Sequence, residues 1–134
     1  AFVSVVDHGM LDRYPNLKLA FMEYGAEWLF YMAGRIGHYL PSYRADECVK
    51  QLPKNDIVDY LRSGRFFVAP EAEDPMLPAE LELVGERAVL FGSDFPHSEG
   101  RENAAEELME RNDLSHEQKK KMLYDNAVAL FGQP

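Results

Sequence analysis

Three short apolar runs, each closed by a turn former, divide the chain. Residues 17–23 run from Leu17 to Glu23 and stop at Gly25, residues 65–69 run into Pro70, and residues 88–92 run into Ser93 and Asp94. A continuous apolar run bounded by breakers predicts a strand buried on both faces, as in parallel sheets. Between these runs, apolar residues recur at helical spacing. Phe2, Val5, Val6, Met10 and Leu11 predict one helix within residues 2–14, which Pro15 stops. Leu29, Met32, Ala33 and Ile36 predict another over 26–40, followed by an irregular polar stretch over 41–53. Asn55 is placed to cap a short helix that Gly64 ends, and Pro78 opens one that Gly85 closes. A charged helix is expected over 101–111 and a last one over 115–131, where Ser115 and Gln118 form a capping box. Met122, Leu123, Ala127, Leu130 and Phe131 share a face of that helix with Asn126. A polar side chain there is expected to bond a neighbouring backbone group.

Strands alternating with helices predict an α/β fold with parallel, adjacent strands, whose chemistry sits past their carboxyl ends. Glu23 and Asp94 stand at such positions, and Glu71 follows the middle run. Asp94 reads either as a carboxylate for a metal ion or proton transfer, or as a turn residue ahead of Pro96. Glu23 reads as an acid, a base or a substrate contact, or else as the partner of Arg35 or a cap on the helix near Ala26. His97 either supports Asp94 and orients substrate, or bonds to backbone within its loop. Ser93 is expected to satisfy local backbone groups, since no nucleophile-elbow motif surrounds it. Glu71, Glu73 and Asp74, between two prolines, read as a solvated acidic loop. Trp28, Tyr31 and Tyr39 read as core, and His8 and His38 as surface or capping residues.

The totals narrow the class. A length of 134 residues with 46% hydrophobic content suits one ordinary domain. A net charge of −9 disfavours nucleic acid and anionic membranes as partners. No apolar stretch reaches membrane-span length, no basic-then-apolar leader opens the chain, and Cys48 has no second cysteine to pair with. A reducing, cytoplasmic setting is the expectation. The opening Ala-Phe-Val-Ser-Val-Val is apolar from its second residue, which leads us to expect a chain cut within a buried element.

Longer motifs add a resemblance. The run Gly92-Ser93-Asp94-Phe95-Pro96-His97-Ser98-Glu99-Gly100 resembles the final-strand motif of the metal-dependent hydrolases of the amidohydrolase 2 type, which are related to aminocarboxymuconate-semialdehyde decarboxylase. The stretch from Leu11 to Leu19 is similar to that family's signature ahead of its sixth barrel strand. Residues 65–69 match its seventh strand, and Asn126-Ala127 with Leu130-Phe131-Gly132 resemble its closing helix.

The resemblance implies that residues 1–134 form the C-terminal part of a single TIM (β/α)8 barrel domain, with about three parallel strands and flanking helices. It implies a divalent metal ion, Zn²⁺ being expected, held by three His and by Asp94. No His-x-His occurs here, so the chain alone is expected to hold no catalytic metal. Asp94 would be both ligand and base in a hydrolase acting on a small organic acid, amide or ester, with Glu23 and His97 completing the catalytic set. The expected partners are a small-molecule substrate and, in the parent protein, further copies of the same subunit. The decarboxylases of the family carry His-Gly-Gly where this chain has Glu23-Tyr24-Gly25, which favours hydrolysis over non-oxidative decarboxylation. A non-catalytic interaction domain is the alternative from another class. The open barrel side is expected to leave Leu19, Phe21, Phe67, Val89 and Phe91 without an opposite wall, making the chain alone marginal or self-associating.

Overall fold

The chain opens with two short helices, α1 (Phe2–Asp7) and α2 (Met10–Arg13), where the spacing predicted one. Gly9 divides them. Its φ is 59°, and a Cβ there would lie 3.3 Å from the Leu52 carbonyl oxygen, so both the left-handed backbone and the missing side chain are needed. This computed structural model describes residues 1–46, 48, 52–98 and 100–132.

Strand β1 (Leu19–Phe21) leads to helix α3 (Trp28–Arg44), which runs through Pro41 and one turn beyond its expected end. That turn is held from outside. Arg44 donates to the Asp56 carboxylate at 2.8 Å and to the carbonyls of Pro53 and Asn55 at 3.2 and 2.7 Å. The irregular stretch expected over 41–53 therefore begins after Arg44, and its residues 47 and 49–51 lie outside the described residues. Helix α4 (Ile57–Leu61) has Asp56 rather than Asn55 at its N-cap, without a side-chain capping bond. The Asn55 N–H goes instead to the Tyr60 hydroxyl at 3.0 Å. Strand β2 (Phe66–Val68), helix α5 (Leu77–Val84) and helix α6 (Ala104–Glu110) follow. Helix α7 (His116–Lys120) starts at the expected capping box, with both of its hydrogen bonds formed. It passes through a π turn, Lys121–Asp125, into α8 (Asn126–Phe131).

The expected strands are parallel and adjacent but shorter than predicted. β1 pairs with β2 in register, Leu19 opposite Phe66 and Phe21 opposite Val68. The third run joins β2 through a single parallel bridge, Val68 to Val89, rather than as a strand over 88–92. Val68 N donates to Ala88 O at 2.9 Å and Leu90 N to Val68 O at 2.8 Å. The ladder stops there because residue 70, next in register to meet the Leu90 carbonyl, is a proline without an N–H, and Ala88 N turns to Gly85 O at 3.0 Å; on the side away from β2, Phe91 N donates to Met122 O in the π turn at 3.2 Å.

Side chains alternate across a strand, so the sheet has two faces to cover. Phe66 and Val68 enter a core with Leu29, Ile36, Leu61, Leu77 and Val84. Phe2, Phe21, Trp28 and Phe66 stack there at centroid distances of 4.9 to 5.8 Å, which places Trp28 in the core as expected. Phe67, Ala69 and Leu90 face the other way, against Ala127 and Leu130 of α8. Phe67 and Val89 are both 0% exposed, so the missing wall expected for them is supplied within the chain. Leu19, Phe21 and Phe91 remain half-buried. Among the described residues no helix is long and apolar enough to cross a membrane.

Asn126 anchors α8. Its amide nitrogen donates to the carbonyls of Glu86 and Val89, each at 2.7 Å, and its side chain is buried. Lys18 adds bonds to the Ala129 and Leu130 carbonyls at the far end of the helix. Asn126→Ala leaves two carbonyls without a donor, and we expect it to cost about 2–3 kcal/mol. A fall in the urea midpoint at unchanged slope measures this; an unmoved midpoint would show that the two bonds contribute nothing net.

Candidate active site

Because β1, β2 and the Val89 run point the same way, the residues that follow each emerge at one edge of the sheet. Those residues are Glu23, Glu71 and Asp94. Electrostatics ties Glu71 to Asp94. The Glu71 carboxyl is pushed up from its ordinary value, first by partial burial and then by the negative charges of Asp94 and Glu73, with Glu27 adding and Arg101 opposing. Among the described residues Asp94 forms no ion pair. Its charge is therefore held half-buried beside like charges, with no cation bonded to it.

Two of these carboxylates sit on a strained backbone. Glu23 has φ 62° and Asp94 φ 51°, the positive-φ residues other than glycine among the described residues. The left-handed region costs an L-residue about 1–2 kcal/mol, less for Asp than for Glu. The Asp94 loop is closed by its own backbone: His97 N donates to Asp94 O at 2.8 Å, Gly100 N to His97 O at 3.0 Å, and Arg101 N to Ser93 O at 2.8 Å. The Ser93 hydroxyl accepts from Phe95 N at 3.4 Å, the local backbone role expected of it. Gly100 allows the closure. A Cβ there would intrude on the Asp94 carbonyl oxygen and lie 2.7 Å from Phe95 N. Arg101 then ties the loop to Glu73 at 2.7 Å and Glu107 at 2.6 Å.

The other expected residues fall as follows. His97 reaches Asp94 through its backbone, and its side chain is exposed. The N-cap position of α3 falls to Glu27 rather than Glu23, without a side-chain capping bond, and the Glu27 Oε2 accepts from Ala26 N at 3.1 Å. Tyr31 is 67% exposed and not core, while Tyr39 is half-buried and donates to Asp7 at 2.7 Å. His8 and His38 are exposed, and His8 Nδ1 bonds the Ser4 carbonyl at 2.9 Å.

The acidic loop is not uniformly solvated. Asp74 is buried, and its Oδ1 accepts from Met76 N at 2.6 Å. Sequence reasoning passed over Glu80, which is 0% exposed. The signal was present, because Glu80 shares the i, i+3, i+4, i+7 face of Leu77, Leu81 and Val84. Gly100 was missed because a glycine's close contact 6 residues back along a loop leaves no periodicity to read.

For a metal ion, Asp94 fits as one member of a ligand set and not as the whole site, since catalytic sites use about three protein ligands. Among the described residues the carboxylates grouped at ligand spacing are Glu27, Asp74 and Glu80, without Asp94.

Carboxylates gathered past the ends of parallel strands are the catalytic layout of α/β barrels. Residues 1–133 match the family model described as Amidohydrolase, and the chain belongs to that family. It is 30% identical over 133 residues to the 2-amino-3-carboxymuconate-6-semialdehyde decarboxylase of Dictyostelium discoideum, covering 98% of this chain and 36% of that protein. Among solved structures it is similar to an amidohydrolase from Mycobacterium avium subsp. paratuberculosis K-10, with 29% identity and a TM-score of 0.82 over 98% of this chain and 32% of that one. It is also similar to a dihydroxybenzoic acid decarboxylase from Polaromonas sp. JS666, solved with manganese and the inhibitor 2-nitroresorcinol. There the identity is 28% and the TM-score 0.69, over 92% of this chain and 36% of that one. The chain thus spans about a third of the length of these relatives.

The backbone of the site can be tested without an assay. Glu23→Gly relieves a left-handed residue and is expected to raise stability by about 1 kcal/mol. Gly100→Ala forces the Asp94 loop open and is expected to lower it by about 2 kcal/mol. Chemical denaturation reads both. A destabilised Glu23→Gly would show that the Glu23 side chain holds the fold and is not merely carried by it.

Proposed function

We propose that the protein carrying this chain is a metal-dependent decarboxylase of its family, releasing CO₂ from a small carboxylated organic acid. The chain would be the C-terminal part of one barrel domain. The observation that carries this reading is Asp94, half-buried on a left-handed backbone at the carboxyl edge beside Glu71, and without an ion-pair partner among the described residues. Two of the three relatives described above are named as decarboxylases, which supports decarboxylation over the hydrolysis expected from sequence.

An acidic edge repels a carboxylate substrate, so positive charge must arrive from beyond these residues. A divalent ion held by Asp94 and by ligands outside this chain would supply that charge and polarise the substrate. Manganese in the Polaromonas enzyme supports a divalent ion without singling out Zn²⁺. Asp94 is the ligand from this chain and, when protonated, the group that hands a proton to the carbon losing its carboxylate as the C–C bond breaks. Glu23 and the exposed His97 flank the substrate and orient it.

Hydrolysis stays as the second reading on one observation, the Glu23 carboxylate at a position where the resemblance to the family's decarboxylases implies a His. In that case Asp94 takes a proton from the attacking water. A small-molecule substrate and assembly with further copies belong to either reading.

Assaying the full-length protein for CO₂ release against hydrolytic product, over carboxylated aromatic and ene acids, separates the two. Asp94→Asn should lower kcat on the order of 10³-fold and reduce bound metal, with an unchanged circular dichroism spectrum. Near-normal kcat in that variant would make Asp94 structural. Absence of both metal and turnover in the wild type would favour the non-catalytic interaction domain.

A further inference from the structure

Glu80 puts a carboxylate where the chain offers it no donor. Its side chain is fully buried on the apolar face of α5, and among the described residues neither oxygen has a hydrogen-bond partner. Burying an ionised carboxylate unpaired costs several kcal/mol, whereas a leucine on that face would cost nothing of the kind. Arg111 is the nearby cation, yet its hydrogen bonds go elsewhere. Nη1 donates to the carbonyls of Ala72 and Asp74 at 2.9 and 2.6 Å, and Nε and Nη2 hold Asp113 at 2.9 and 2.6 Å.

Two further carboxylates converge on Glu80. One oxygen each from Glu27, Asp74 and Glu80 lies within 4.8 Å of the others. Asp74 is buried and Glu27 exposed, so the group is closed on its inner side and open to solvent at Glu27. The donors come from three separate places: the start of α3, the loop after β2, and α5.

We propose that Glu27, Asp74 and Glu80 bind a hard divalent cation, of the Ca²⁺ or Mn²⁺ class. A donor set of oxygens alone selects such ions over thiophilic ones. The doubly positive ion, with Arg111 beside it, offsets the three carboxylates. Its role is to tie the segment after β1 to the loop after β2, the two segments that bring Glu23 and Glu71 to the edge shared with Asp94. This inference does not rest on the reaction proposed above.

The competing state is a proton. Burial, then the charges of Asp74 and Glu27, push the Glu80 carboxyl up to about 8, and a protonated Glu80 would donate to Asp74. Between two ionised carboxylates no hydrogen bond exists, so either a proton or a cation must join them.

Equilibrium dialysis of the metal-stripped full-length protein against Ca²⁺, and separately Mn²⁺, at millimolar concentration distinguishes these states. Asp94→Asn, Glu80→Gln and Glu80→Leu are run beside the wild type. We expect one ion per chain to persist in Asp94→Asn and to be lost in both Glu80 variants. The melting temperature should rise with the ion in Asp94→Asn and should not do so when either Glu80 substitution is added to Asp94→Asn. Glu80→Leu suits its apolar surroundings and keeps the comparison valid if Glu80→Gln folds poorly. Uptake of neither ion by Asp94→Asn, or equal uptake in the Glu80 variants, would mean that a proton joins the carboxylates and would overturn the proposal. Loss of catalysis in Asp94→Asn with this ion retained would leave the site standing whichever reaction the protein performs.

Discussion

Two hydrogen bonds from one buried amide hold this architecture in its arrangement. Asn126 reaches the carbonyls on either side of the turn into the Val89 run and fixes α8 against it. With α8 in place, Phe67, Ala69 and Leu90 are covered, and the sheet has helices on both faces. The Val89 run is then held between β2, through Val68, and the π turn, through Phe91 and Met122. The direction of that run sends Asp94 to the same edge as Glu23 and Glu71. A lone polar residue on an apolar helix face thereby fixes where the acidic groups of the chain meet.

That edge is defined by repulsion. Glu71 rises first through partial burial and then because Asp94 and Glu73 are near, and Arg101, which acts against this, is shared between Glu73 and Glu107. Like charges are brought together at a cost, and two of the residues add backbone strain. Strain and uncompensated charge at one place are characteristic of sites kept for chemistry. The chain covers about a third of its relatives' length and carries these acidic groups together at one edge.

Much of this was legible in the residues themselves. Alternation of apolar runs with helical spacing gave parallel strands, and the capping box at Ser115 and the bonding of Asn126 formed as expected. What failed to show was always non-local. The helix break at Gly9 depends on the Leu52 carbonyl, and the survival of α3 past Pro41 depends on Arg44 meeting Asp56. The third strand shrank to a bridge because the register sets Pro70, which has no N–H, opposite the Leu90 carbonyl. Asp74 looked like a solvated loop residue because its burial comes from α5 and from Arg111, neither adjacent to it in sequence. Glu23 and Asp94 were placed at the right edge, but their left-handed backbones leave no trace in residue type.

The π turn sets the phase of everything after it. A π turn holds one residue more than the α-helical turn it replaces, so α8 starts about 100° round the axis from where an unbroken helix would put it. That offset turns Asn126 toward the strand and Ala127 and Leu130 toward Phe67. Removing any one residue between Lys121 and Asp125 would therefore act as a rotation rather than a shortening. The helix would become more regular while its polar anchor swung off the strand, exchanging a better helix for a worse fold.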